Sequence, residues 1–197
     1  MRVFVSIRPS ADARLHLQNA LDEVRQTAGQ SLRWGDADQW HLTLAFRPDL
    51  PEGAVPDALD DLAAMASGHG PLTLHLSGAG SFSGRTLWIG VGGEVSRLES
   101  LMREELLGEP DRERRRAHLT VARVSARAPR PPRRRTRWSV PAPDPTRILL
   151  ADAVRALSVY RGPAWESTEL ELVASHLGQG RFGGPLHEVL GTVPLGP

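Results

Sequence analysis

Two short runs of this sequence have the same shape, and together they restrict the fold more than any other feature. Trp40-His41-Leu42-Thr43-Leu44-Ala45-Phe46 and Ala117-His118-Leu119-Thr120-Val121-Ala122-Arg123 each place a histidine, an apolar residue, a threonine and another apolar residue in succession, one run in each half of the chain. Side chains alternate between the two faces of a β-strand, so His and Thr two positions apart point the same way while Leu42, Leu44, Leu119 and Val121 point into a core. The fold must therefore supply two strands, each buried on one side and bearing an imidazole beside a hydroxyl on the other. A fold that pairs the halves brings both imidazoles to one cleft.

A lone His-x-Thr arises by chance, and a single strand histidine is commonly structural. Two copies point to chemistry. With an unperturbed pKa of about 6.5, one imidazole can take a proton from water while the other gives one to a departing alkoxide. Two imidazoles facing one phosphate make a general acid and a general base, and the reaction also needs donors for the charge that grows on the non-bridging oxygens. The hydroxyls of Thr43 and Thr120 are the candidates for holding those oxygens.

From these motifs outward, the sequence resembles the two-histidine phosphoesterases, and within them the RNA 2′,3′-cyclic phosphodiesterases, also called 2′-5′ RNA ligases. The resemblance extends over Arg2-Val3-Phe4-Val5-Ser6-Ile7, Leu32-Arg33-Trp34, Leu87-Trp88-Ile89-Gly90-Val91, the second motif through Arg123, Tyr160-Arg161-Gly162-Pro163-Ala164-Trp165, Leu172-Val173-Ala174-Ser175-His176-Leu177-Gly178 and His187-Glu188-Val189-Leu190. It implies an α+β fold with two pseudo-symmetric lobes, each an antiparallel sheet with two helices, around a central cleft lined by the histidines. It also implies a 2′-phosphate product, so that the P–O3′ bond breaks; His41 is then the expected proton donor and His118 the expected proton acceptor, with the exchanged roles as the alternative. The family carries a basic residue where Arg123 stands. In a regular strand Arg123, five residues after His118, falls on the opposite face, and a bulge or a strand end is needed to bring it round. The family more often continues with a leucine where this chain has Arg47-Pro48, and has a tyrosine where His187 stands.

Periodicity gives strands over 2–7, 32–34, 40–46, 71–78, 86–92, 117–124, 165–175 and 186–194, and helices over 11–27, 54–67, 94–107 and 146–160. Ser10 is an N-cap for the first helix and Gly29 closes it. The Gly/Ser run 78–85 precedes a strand and lacks the lysine of a P-loop, so it reads as a hairpin connection. His16 and His75 read as surface residues, and His176 and His187 as structural or loop residues. Trp34, Trp40 and Phe82 are candidates for stacking on a base.

The whole length of 197 residues fits a single two-lobed domain, with a flexible Pro/Arg-rich loop over 126–145 inside it. Every one of the 24 basic residues is Arg, and Arg forks match phosphate oxygens, although the net charge is only +1. Arg115 and Arg116, beside His118, are the candidates for a phosphate contact outside the motif, and the 126–145 loop is a candidate guide for an RNA backbone. There is no cysteine, which excludes disulfides, a thiolate nucleophile and a cysteine zinc site. No metal and no cofactor are expected, because the carboxylates near the motifs have no metal-binding spacing. No apolar run is long enough to span a membrane and no leader pattern opens the chain, so a cytoplasmic monomer acting on RNA 3′ ends or small cyclic nucleotides is expected. The same residues serve 2′-5′ ligation, and the basic loop also suits an RNA-end binding module without catalysis.

Overall fold

The structure is a computed structural model and describes residues 1–107, 116–129, 143–181 and 184–197. The strand expected at the start of the chain is β1 (Val3–Ile7), and all five of its residues are buried. That happens because β1 is interior. It lies between β3 (Leu42–Arg47) and β8 (Glu169–His176), and β9 (Leu186–Pro194) pairs on the far side of β8. The second sheet has the order β2-β6-β5-β4-β7, from β2 (Leu32–Trp34), β4 (Leu72–Phe82), β5 (Thr86–Gly93), β6 (His118–Val124) and β7 (Arg161–Ser167). Every pairing is antiparallel, so the fold is α+β with two antiparallel sheets.

The helices close the apolar side of each sheet. α1 (Ala11–Ala20) packs on β7 and β4, α2 (Asp22–Ala28) on α5 (Pro145–Ala156), and α5 on β4. α3 (Val55–Ala66) covers β9, and α4 (Val95–Met102) reaches both β3 and β4. Ser10 caps α1 through its hydroxyl, which accepts from the Ala13 amide at 3.2 Å, and Asp144 caps α5 in the same way at Thr146, at 2.9 Å. The buried side chains form one continuous cluster that draws on both sheets.

Several boundaries differ from the periodic reading, each for a local reason. The helix expected over 11–27 is two, because the Leu21 amide is shared between the carbonyls of Leu17 and Gln18 and tightens that turn. The apolar stripe of Leu17, Leu21, Val24 and Ala28 nevertheless runs through both pieces. The helix expected over 94–107 ends at Met102, although Leu106 remains buried. The strand expected over 165–175 is two strands in different sheets: the chain leaves the five-stranded sheet at Ser167 and enters the four-stranded one at Glu169. The lobes are consequently not successive halves of the sequence, since β1 and β3 share a sheet with β8 and β9. Most of the 126–145 loop and Arg115 lie outside the described residues, and Pro145 is already the first residue of α5.

Candidate active site

On β3 and β6 the apolar residues Leu42, Leu44, Leu119 and Val121 are buried, which leaves the histidine and threonine of each motif on the other face. The two sheets meet where β3 packs against β6. His41 and His118, one from each sheet, are close enough for the charge of one to act on the other.

Both imidazoles are tethered in the same way. Nδ1 of His41 lies 2.8 Å from the carbonyl oxygen of Gln39, and Nδ1 of His118 lies 2.9 Å from that of Arg116. A carbonyl only accepts, so each Nδ1 carries the hydrogen and each Nε2 the lone pair. Two residues back along the chain is the same offset in both cases, and it fixes tautomer and ring direction together.

Each motif strand also breaks its alternation at the same point. Ser6 pairs with Thr43 but Val5 pairs with Ala45, so Leu44 is an extra residue. Trp88 pairs with Thr120 but Leu87 pairs with Ala122, so Val121 is an extra residue. Both are β-bulges immediately after the threonine. On β6 the bulge puts Val121 and Ala122 in the core one after the other, and Arg123, exposed and opposite Thr86, returns to the face that carries His118 and Thr120.

The surroundings of the two histidines differ. His41 is stacked on Phe4 with ring centroids 4.5 Å apart and meets the edge of His187 at 4.8 Å. Burial lowers its pKa; the Gln39 carbonyl opposes this, and the charges of His187, Arg8 and His118 add to it, so that it is pushed down to about 4. The His187 pKa is lowered as well, again chiefly by burial. Arg8 is gripped by Glu171 through Nε at 2.9 Å and Nη2 at 3.2 Å, and its Nη1 donates to the Asp38 carbonyl at 2.7 Å. His118 instead borders Phe82, edge to face at 4.8 Å, and Trp88 at 6.1 Å.

The family described as LigT like phosphoesterase matches residues 7–91, which include the first motif. An RNA 2′,3′-cyclic phosphodiesterase of Geobacillus stearothermophilus is 30% identical over 133 residues, an alignment covering 61% of this chain and 41% of that protein. The chain thus spans less than half the length of this curated relative. The crystal structure of Thermus thermophilus TT0787 superposes with a TM-score of 0.65 at 24% identity, covering 99% of this chain and 98% of that one. Escherichia coli LigT complexed with 3'-AMP superposes with a TM-score of 0.63 at 21% identity, covering 98% of this chain and 96% of that one. Residues 7–91 thus match the LigT-like phosphoesterase family, and the chain as a whole has the fold of these solved structures.

Within this LigT-like fold, the structure sorts the residues singled out in the sequence. His41, Thr43, His118, Thr120 and Arg123 all lie on the polar faces of their sheets. Of the three stacking candidates only Phe82 borders a histidine. Trp40 is 2% exposed in the core, and Trp34 pairs with buried Ala122 under the guanidinium of Arg25. His187, in β9, is structural: it packs against His41, and its backbone N–H donates to Oε1 of Gln39 at 2.8 Å. Phe4, Arg8, Glu171 and Trp88 carried no sequence signal of their own. Among the described residues no three His, Asp or Glu side chains gather as a metal cluster would, and no helix is long and apolar enough to cross a membrane.

Proposed function

We propose that this chain hydrolyses RNA 2′,3′-cyclic phosphate ends to 2′-phosphates, with His41 and His118 as the acid and base. The observation that supports this reading is the matched tethering of the two imidazoles, each held through Nδ1 on a backbone carbonyl two residues back so that Nε2 is the nitrogen offered for proton transfer. The phosphodiesterase activity in the name of the Geobacillus stearothermophilus relative supports the reaction class.

In this reading His118 takes a proton from water as its oxygen attacks phosphorus. The P–O3′ bond breaks, and His41 gives its proton to O3′. Thr43, Thr120 and Arg123 donate to the phosphoryl oxygens as their charge grows. Both proton transfers are supplied by side chains, so the step runs without a metal.

For His41 to act as the acid it must be protonated, and its lowered pKa keeps it neutral near pH 7. A depression from 6.5 to about 4 corresponds to about 3 kcal/mol. A phosphate charge about 4 Å away, at an effective dielectric of about 20, is worth about 4 kcal/mol, so the bound substrate itself loads the acid. The low pKa is also the observation that favours a second reading with the roles exchanged.

The direct experiment is to incubate the protein, with EDTA present, with a short RNA ending in a 2′,3′-cyclic phosphate and to identify the product. A 2′-phosphate is expected. A 3′-phosphate, or turnover only on adding a divalent metal, contradicts the reading.

A further inference from the structure

Next to His118 the five-stranded sheet carries a row of directly paired residues that runs across its strands. His118 pairs with Gly90, Gly90 with Ser77, and Ser77 with Arg161. Directly paired residues share a face, so all four stand on the side that carries the motif. The floor of the row is small. Gly90 has no side chain, and the carbonyl of Ser77 leaves no room for one, because a Cβ there would lie 2.7 Å from it.

Larger rings flank the row on both sides. Trp88 lies flat across Gly80, whose Cβ position it occupies, and His75 lies across Gly92, 2.5 Å from a Cβ placed there. The result is a shallow groove floored by Gly90 and Ser77, edged by an indole and an imidazole, with His118 at one end. At the other end stands Arg161, exposed, and among the described residues it has no carboxylate partner. The charge of Arg161 reaches His75, which places its guanidinium beside the groove.

Three interstrand steps separate His118 from Arg161, roughly 14 Å at about 4.8 Å each. A nucleotide contributes six backbone bonds and, at about 1.5 Å per single bond, spans at most about 7 Å. From this geometry, and resting on the reaction proposed above, we infer that the groove holds the RNA strand on the 5′ side of the reacting end, with Arg161 binding an upstream backbone phosphate. The preferred substrate is then an oligonucleotide end. A nucleoside 2′,3′-cyclic monophosphate has no phosphate to offer Arg161.

The test compares adenosine 2′,3′-cyclic monophosphate with a tetranucleotide ending in the same group, using the full chain and its Arg161→Ala variant. The tetranucleotide is expected to have the higher kcat/KM by about tenfold, the size of one charge-assisted contact, and a steeper fall with salt. Arg161→Ala should remove that advantage and leave the mononucleotide rate unchanged. Replacing the upstream phosphates by neutral methylphosphonates should reproduce the loss in the unaltered protein and have no further effect in the variant, which separates contact from misfolding. Equal kcat/KM for the two substrates, or an equal loss on both in the variant, overturns the inference and leaves the reaction standing. Absence of turnover on either substrate by the unaltered protein overturns both.

Discussion

The imidazoles of His41 and His187 meet edge to face, with centroids 4.8 Å apart and planes at 83°. His187 comes from β9, at the far side of the sheet in sequence terms, and its backbone also donates to the side chain of Gln39, whose own carbonyl tethers His41. One residue thus links the tether of His41 to a neighbour whose positive charge disfavours its protonation. Replacing His187 by Phe keeps a ring in place and removes that charge. The His41 pKa should then rise from about 4 while burial, Arg8 and His118 still hold it below 6.5. Titration of the His41 ring protons by NMR reads this directly, and an unchanged or lower value would show that His187 does not act on His41.

The same depression makes stability depend on pH. The folded pKa of His41 lies below that of an unfolded histidine, so the unfolded chain binds more protons at pH below 6.5. Stability from this group is complete above about pH 6.5 and is lost as the pH falls toward 4, by on the order of 3 kcal/mol. Urea midpoints measured across that window should fall for the unaltered protein and fall less for His41→Phe. Parallel curves for the two proteins would contradict the assignment.

Arg123 reaches the motif face only through the bulge at Val121. Arg123→Ala should lower kcat/KM by about ten- to a hundredfold, the range for losing one charged donor to a phosphoryl oxygen, with little change in melting temperature because the side chain is exposed. A full-rate variant would place Arg123 outside the reaction.

Much of this arrangement was readable from the chain. The pairing of His with Thr on one strand face, and Leu or Val on the other, follows from alternation alone, and the buried Leu42, Leu44, Leu119 and Val121 agree with it. The two bulges also left a mark. Leu44-Ala45 and Val121-Ala122 each set two apolar residues in succession where strict alternation asks for one, and a register shift is what that irregularity means. The partners of His41 were not legible, because Phe4 comes from β1, Arg8 from the residue after it and His187 from β9, and the order of those strands is a property of the sheet and of no local sequence. The break between β7 and β8 was hidden for a similar reason: the run from Trp165 to Ser175 holds no glycine or proline, and only the change of sheet divides it.

The roles of the two histidines separate by leaving group. If His41 protonates O3′, then His41→Ala should recover most of its lost rate on a cyclic substrate with sulfur in place of O3′, since a thiolate departs without a proton. His118→Ala should show no such recovery. Recovery in His118→Ala alone would establish the exchanged assignment.

The central claim is that two imidazoles carry the reaction between them, and the most direct measurement is single-turnover hydrolysis of a cyclic-phosphate RNA by His41→Ala, His118→Ala and the double variant, with EDTA present and folding confirmed by melting. Each single variant should lose about a hundred- to ten-thousandfold in rate, and the double variant little more than either, because the pair works as a unit. A folded single variant that retains more than about a tenth of the rate would contradict the account.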